Sequence, residues 1–177
     1  MTDSKEIWIQ TGYQLFSLYG YEALKIEKLA RKVGISKSSF YYHFADMEVF
    51  VEQLLQLHLK QARIIAQKET EAQTIDPELI QILFEHKIDL LFNRQLRVNR
   101  SLKAFNDTLL QSNQIIGNSF VYIWIKELNL HLSEHQLAGL FELALENFYL
   151  QITPENLTYA WLSNYFTNLK GIAQRFG

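Results

Sequence analysis

Between Lys25 and Lys37 the chain carries Lys25, Lys28, Arg31, Lys32 and Lys37 against one carboxylate, Glu27. Polar groups crowd the same stretch and the residues just after it: Ser36, Ser38, Ser39, Tyr41, Tyr42 and His43. Ammonium, hydroxyl and imidazole groups can hydrogen-bond phosphate oxygens, and small hydroxyl residues let a helix lie close to base edges. The set therefore suits a polyanion. It also suits an ordinary solvated helix face, so charge alone leaves both readings open. The chain as a whole shows no basic excess, since 17 Lys and Arg against 19 Asp and Glu leave a net charge of -2. A short cationic patch on a mildly acidic chain is the pattern of a separate module that meets nucleic acid.

The elements that hold these groups follow from periodicity. Ile26, Leu29, Ala30 and Val33 fall at i, i+3, i+4 and i+7, which predicts a helix ended by Gly34. Ser36 stands where its hydroxyl can cap a very short helix, Lys37–His43. Val33, Ile35, Phe40 and Phe44 then form a buried inner side, while Lys37, Ser38, Ser39, Tyr41, Tyr42 and His43 face outward. One amphipathic brace, a tight reversal and a polar second helix meet the requirements of a helix-turn-helix. Upstream, Trp8, Gly12, Leu15, Phe16 and Tyr19 share one face of a first helix over residues 4–19, which Gly20 stops. Downstream, Asp46 caps a fourth helix expected to run to about Glu71, with one stripe at Phe50, Leu54, Leu57 and Gln61 and another at Val51, Leu55, His58, Ala62 and Ile65.

Joined, these residues carry a resemblance. Leu15-Phe16, Gly20-Tyr21-Glu22-Ala23, Ile26, Leu29-Ala30, Val33-Gly34-Ile35-Ser36-Lys37 and Ser39-Phe40-Tyr41-Tyr42-His43-Phe44 resemble the DNA-binding signature of the TetR/AcrR regulator family over about the first sixty residues. The resemblance implies a three-helix DNA-binding unit, residues 1–47, followed by a helical ligand-sensing and dimerisation domain, residues 48–177, about nine helices in all. It further implies that Lys37, Ser38 and Tyr42 look toward bases and that Ser36, Ser39, Tyr41 and His43 look toward phosphates. Lys25 and Lys28 would sit where the bracing helix meets the DNA backbone. Two positions depart from the family pattern: Glu27, where many members are basic, and Met47, where many carry lysine. Glu27 could repel phosphate or accept from a cytosine amino group.

Beyond the fourth helix, further helices are expected at roughly 77–92, 95–112, 115–130, 134–151 and 154–175. Asp76-Pro77 and Thr153-Pro154 read as caps followed by proline, and Ser133 with Gln136 as a capping box. The family role of this half is a pocket whose filling tilts the fourth helix and respaces two DNA-reading heads. Candidate pocket residues are His58, Phe84, His86, Phe92, Phe105, Trp124, Phe148 and Tyr149, although aromatics at helical spacing equally describe a plain core. Leu137, Leu140, Phe141, Ala144, Leu145 and Phe148 line one late helix, and Leu157, Trp161, Tyr165 and Leu169 another. That is more apolar surface than one internal face needs, so a two-fold contact between homodimer subunits is expected there.

Other chemistries fit poorly. The absence of Cys removes disulfides, thiol nucleophiles and cysteine metal sites. With 7 Gly and 2 Pro there are too few chain breakers for a sandwich or barrel, so an all-α fold is expected. The first residues lack a secretory leader, and Phe120–Ile125, the most apolar window, is too short to span a bilayer, which points to a soluble cytoplasmic protein. His131-Leu132-Ser133-Glu134-His135 spells an inverted zinc-protease pattern, but Ser133 as an N-cap would put His131 outside the helix that holds His135. Arg94, Arg97, Arg100 and Lys103 form a basic row read as solvated. No enzyme, metal or cofactor is expected. The partners expected are double-stranded operator DNA, a second copy and a small effector, with no membrane. The competing view is a helical protein of this shape without DNA affinity, acting through protein contacts.

Overall fold

The computed structural model describes residues 4–128 and 133–173, apart from the side chains at 118, 120–122, 124, 125, 128 and 134. Among the described residues there are nine α-helices and no strand. The first four are α1 (Ser4–Tyr19), α2 (Ile26–Val33), α3 (Lys37–His43) and α4 (Met47–Glu71), and they keep the boundaries expected from periodicity. Gly20 and Gly34 lie at φ 78° and 75°, where an L side chain would be strained, so α1 and α2 stop where they must for α3 to fold back on α1. Asp46 Oδ1 accepts from Val49 N at 2.9 Å and starts α4 as expected. Ser36 differs. It holds the N-cap position of α3 in extended conformation, yet its hydroxyl makes no capping bond, because the Ser36 carbonyl takes the Ser39 amide at 3.0 Å and the side chain is left outside.

The second half departs more from its expected layout. A tight turn over Ile75–Leu79 leads into α5 (Ile80–Glu85), and the helix expected over 77–92 breaks at His86 before α6 (Lys87–Val98). His86 is held there by its own ring, whose Nδ1 lies 2.9 Å from Asp89 Oδ2 in the next turn. The two helices expected over 95–112 and 115–130 are instead divided at Asn99–Leu102, after which α7 (Lys103–Leu128) runs unbroken. Asn99 Nδ2 donates to the Gln95 carbonyl at 2.8 Å, a side-chain bond that helps close α6, whereas Asn113 and Gly117 offer α7 no such stop.

Asp76 does not cap a helix with its side chain: it accepts from Tyr159 Oη and Ser163 Oγ. α8 (Glu134–Gln151) opens with the full Ser133–Gln136 box. Thr153 and Asn156 exchange bonds as a cap would, but the turn lasts only to Leu157; Thr158 Oγ1 then accepts from Trp161 N, and α9 is Tyr159–Ala173.

Two apolar cores result. One joins Trp8, Phe16, Leu29, Phe40, Phe44, Phe50 and Leu54 with Phe92, Leu96 and Phe105 from the later helices. The other gathers Leu79, Ile80, Leu83, Leu90, Phe148, Ile152, Leu162 and Phe166. α4 serves as the shaft between them. α1 lies along α6, where the Tyr13 and Phe16 rings meet Phe92 at 4.3 and 4.5 Å, so the first four helices are seated on the second half by aromatic packing. No helix among the described residues is long and apolar enough to cross a membrane.

Candidate nucleic-acid interface

α3 is only seven residues long and could not persist alone. Its inner residue Phe40 anchors it, edge-on to Trp8 at 5.4 Å and to Phe50 at 5.2 Å, with Phe44 at 5.1 Å. With that side fixed, Tyr42 is 85% and Tyr41 57% exposed, two large rings that keep most of their surface in solvent while Tyr41 also lies edge-on to Phe40 at 5.6 Å. Ser36, Lys37 and Ser38 are exposed beside them, as are Lys25 and Lys28 on the brace. Ser39 and His43, expected to face outward, are half-buried and turned to α1: Trp8 Nε1 donates to Ser39 Oγ at 3.4 Å, and Ser4 Oγ lies 2.6 Å from His43 Nε2. They tie α3 down as much as they present it.

The two departures from the family pattern find places. Glu27 Oε1 accepts from Lys37 Nζ at 2.6 Å, bridging brace and α3, and that hydrogen bond holds the Glu27 carboxyl below its ordinary range. Sequence reasoning set Glu27 against DNA and missed this internal partner, ten residues away across the Gly34 turn. Met47 is half-buried against the first core, an apolar contact at the head of α4 where a lysine would have stayed in solvent.

The pocket candidates do not converge. Phe92 and Phe105 belong to the first core, Phe105 lying edge-on to Tyr21 at 5.4 Å. Phe148 and Tyr149 belong to the second, and Phe84 is half-buried beneath the Lys87 ammonium, 5.3 Å from its ring centre. Trp124 lies outside the described side chains. His58 is fully enclosed in a polar chain: Tyr13 Oη donates to Asp89 Oδ1 at 2.7 Å and lies 3.0 Å from His58 Nδ1, while His58 Nε2 lies 3.2 Å from Ser112 Oγ. Asn93 Nδ2 donates to the same serine at 3.1 Å. A neutral imidazole protonated at Nδ1 satisfies every one of these bonds, and burial pushes its pKa down to about 4. His86 continues the chain at the surface, with Asp89 on one side and Lys68 Nζ at 3.0 Å on the other.

On the late helices, Leu157 (2% exposed) and Ala144 are used inside the subunit, while Leu137, Leu140, Phe141, Leu145, Trp161, Tyr165 and Leu169 are half-buried. Leu143 and Leu150, 71% and 72% exposed on α8, were missed by the stripe counted in sequence. The basic row is not one solvated face: Arg97 is buried over the Tyr149 ring at 4.5 Å and paired with Glu146, with Arg100 3.7 Å from the same carboxylate. Of the inverted zinc pattern, His131 and the Glu134 side chain lie outside the described residues.

Comparison with known proteins agrees with this geometry. The family model for bacterial regulatory proteins of the tetR family matches residues 9–54, which span α1 to the first two turns of α4. The chain is 39% identical over 51 residues to the HTH-type transcriptional regulator YerO of Bacillus subtilis, a match covering 29% of this chain but only 18% of that protein. It is 23% identical over 154 residues to IcaR of Staphylococcus aureus, described as an HTH-type negative transcriptional regulator of the biofilm operon icaADBC, with 83% of each chain covered. Its fold matches that of a TetR/AcrR-type transcriptional regulator from Aquifex aeolicus VF5 with a TM-score of 0.64 over 96% of this chain and 99% of that one, at 18% identity. The matched residues thus carry the helix-turn-helix of the tetR family of bacterial regulatory proteins, formed here by α2 and α3.

Proposed function

We propose that the protein is a homodimeric, ligand-responsive repressor that reads a palindromic operator through α3, with residues 1–47 as the reading unit and residues 48–177 as the sensing and dimerising unit. The observation that carries this reading is the division of α3 into a buried anchor, Phe40, and an outer face where Lys37, Ser38, Tyr41 and Tyr42 are exposed. Ser36, Lys25 and Lys28 flank that face and reach phosphates, and Ser39 and His43 join them from its half-buried side. Repression agrees with the negative regulation stated for IcaR. Dimerisation draws on the apolar residues left open on α8 and α9, above all Leu143 and Leu150, with Leu140, Trp161 and Tyr165 beside them. A two-fold pair suits half-sites about 34–36 Å apart. Acting on DNA, the protein works in the cytoplasm.

Binding to the DNA beside its own gene, measured across a salt series, tests the proposal. Affinity should fall steeply as salt rises and favour that sequence over random duplex. Glu27→Gln frees Lys37 from its internal partner and removes a charge that repels phosphate; it should tighten binding about two- to fivefold, the scale of an exposed ion pair. Lys37→Ala should weaken binding and flatten the salt dependence. If the wild type shows no retention at low salt, the chain works through protein contacts instead.

A further inference from the structure

The strongest unexplained feature lies far from α3. Glu69, near the end of α4, is 0% exposed. Its Oε2 is 2.9 Å from Ser119 Oγ, and its Oε1 has no partner among the described residues. The Ser119 proton can serve either this carboxyl or the Ile116 carbonyl, 3.0 Å away. If Glu69 is ionised, Ser119 donates to Oε2; if it is neutral, its own Oε2 proton goes to Ser119. In both arrangements Oε1 remains an unsatisfied acceptor, and leaving such a group buried costs more than a made hydrogen bond returns. Glu69 lines a cavity of about 20 Å³ that it shares with Ile65, Leu83, Leu90, Leu145, Phe148 and Tyr149. The Arg97 guanidinium, which lies over the Tyr149 ring, is committed to Glu146. One donor is missing from an apolar and aromatic chamber.

We propose that this chamber is the effector site and that its ligand is a small organic amine, whose N–H head bonds Glu69 Oε1 while its apolar body parts the wall formed by Leu145 and Phe148. The inference rests on the ligand-responsive reading above and gives the ligand a class. The space present holds about one water-sized group, enough for an ammonium head. A body must displace side chains, so ligand entry moves α8 against α4. An ammonium is the fitting head because, as the Glu69 carboxyl gives up its proton to solvent, it gains a charge-assisted bond roughly twice as strong as a neutral one, and aromatic walls favour a cation.

The test uses the full chain without DNA. Phenethylamine and hexylamine are titrated calorimetrically beside 2-phenylethanol and hexanol, with wild-type protein and with Glu69→Gln, whose fold is checked by circular dichroism. The proposal expects at least one amine to bind the wild type about tenfold or more tightly than its alcohol, and Glu69→Gln to erase that preference. It is overturned if neither amine binds the wild type, as when a single water satisfies Oε1, or if the preference survives in Glu69→Gln. Because DNA is absent, failure here leaves the operator reading standing. An amine that binds yet fails to release DNA would instead count against ligand-responsive repression.

Discussion

Replacing Phe40 with alanine is expected to melt α2 and α3 while the second core stays folded, and to abolish DNA binding altogether. Phe40 is fully buried where α1, α3 and α4 meet, and it touches Trp8, Phe44 and Phe50 with edge-on or tilted ring geometry. Removing a buried phenylalanine costs about 3–5 kcal/mol, which combines lost transfer energy with the cavity left behind. A seven-residue helix has no local reserve to set against that loss. Amide hydrogen exchange should show α2 and α3 losing protection by several orders of magnitude while α7 and α8 keep theirs. A cost below about 1 kcal/mol, or retained DNA binding, would mean that α3 is held by something other than this ring cluster.

The second large effect is a dependence of stability on pH set by two buried groups of opposite sign. His58, facing Tyr13 and Asp89, has its pKa lowered from 6.5 to about 4 by burial. Between those values the unfolded chain binds the extra proton, so this contribution is full above pH 6.5 and is lost as pH falls toward 4. Glu69, facing Ser119 with Tyr149 and its Arg97 beyond, is raised from 4.5 to about 8 by burial. Here the folded chain holds the extra proton, so the contribution is full below 4.5 and is lost as pH rises through 8. The two oppose each other between pH 4.5 and 6.5. Above that window only Glu69 changes, and the wild type should lose about 2 kcal/mol between pH 6.5 and 8, at about 1.4 kcal/mol per pH unit. Glu69→Gln should stay flat across that interval and exceed the wild type there. Urea unfolding at closely spaced pH values reads both curves, and parallel curves would show that Glu69 is ionised in the folded protein.

The parts of the molecule that were legible in sequence are those in which local signals agree. For α1 through α4, periodicity, glycine stops and the Asp46 cap all point to the same ends, and the helices have those ends. Around His86 and Asn99 the breaks depend on side chains bonding back to a neighbouring turn, and no residue type there announces a stop. Position 97 looked solvated because a basic row says nothing about which member meets another helix; only the docking of α6 on α8 buries Arg97. Glu69 was hidden by its polar neighbours Gln67, Lys68, Thr70 and Glu71, yet it continues the stripe of His58, Ala62 and Ile65 and is buried with them. The exposed polar face of α3 was readable because polarity on one side of a very short helix needs a reason. That Ser39 and His43 also bond α1 depended on how α1 crosses α3, which spacing alone does not state.

The outer face of α3 carries the whole functional reading, and it can be tested by contact. Benzoylphenylalanine placed at Tyr42, with the same group at Tyr19 on α1 as a comparison, can be photolysed in the presence of the duplex beside the gene. Both positions are well exposed, so accessibility alone does not separate them. Adducts to bases from position 42, at two sites one helical turn apart and none from position 19, are what a groove-reading α3 in a two-fold pair produces. No adduct from 42, or equal adducts from both positions, would contradict it.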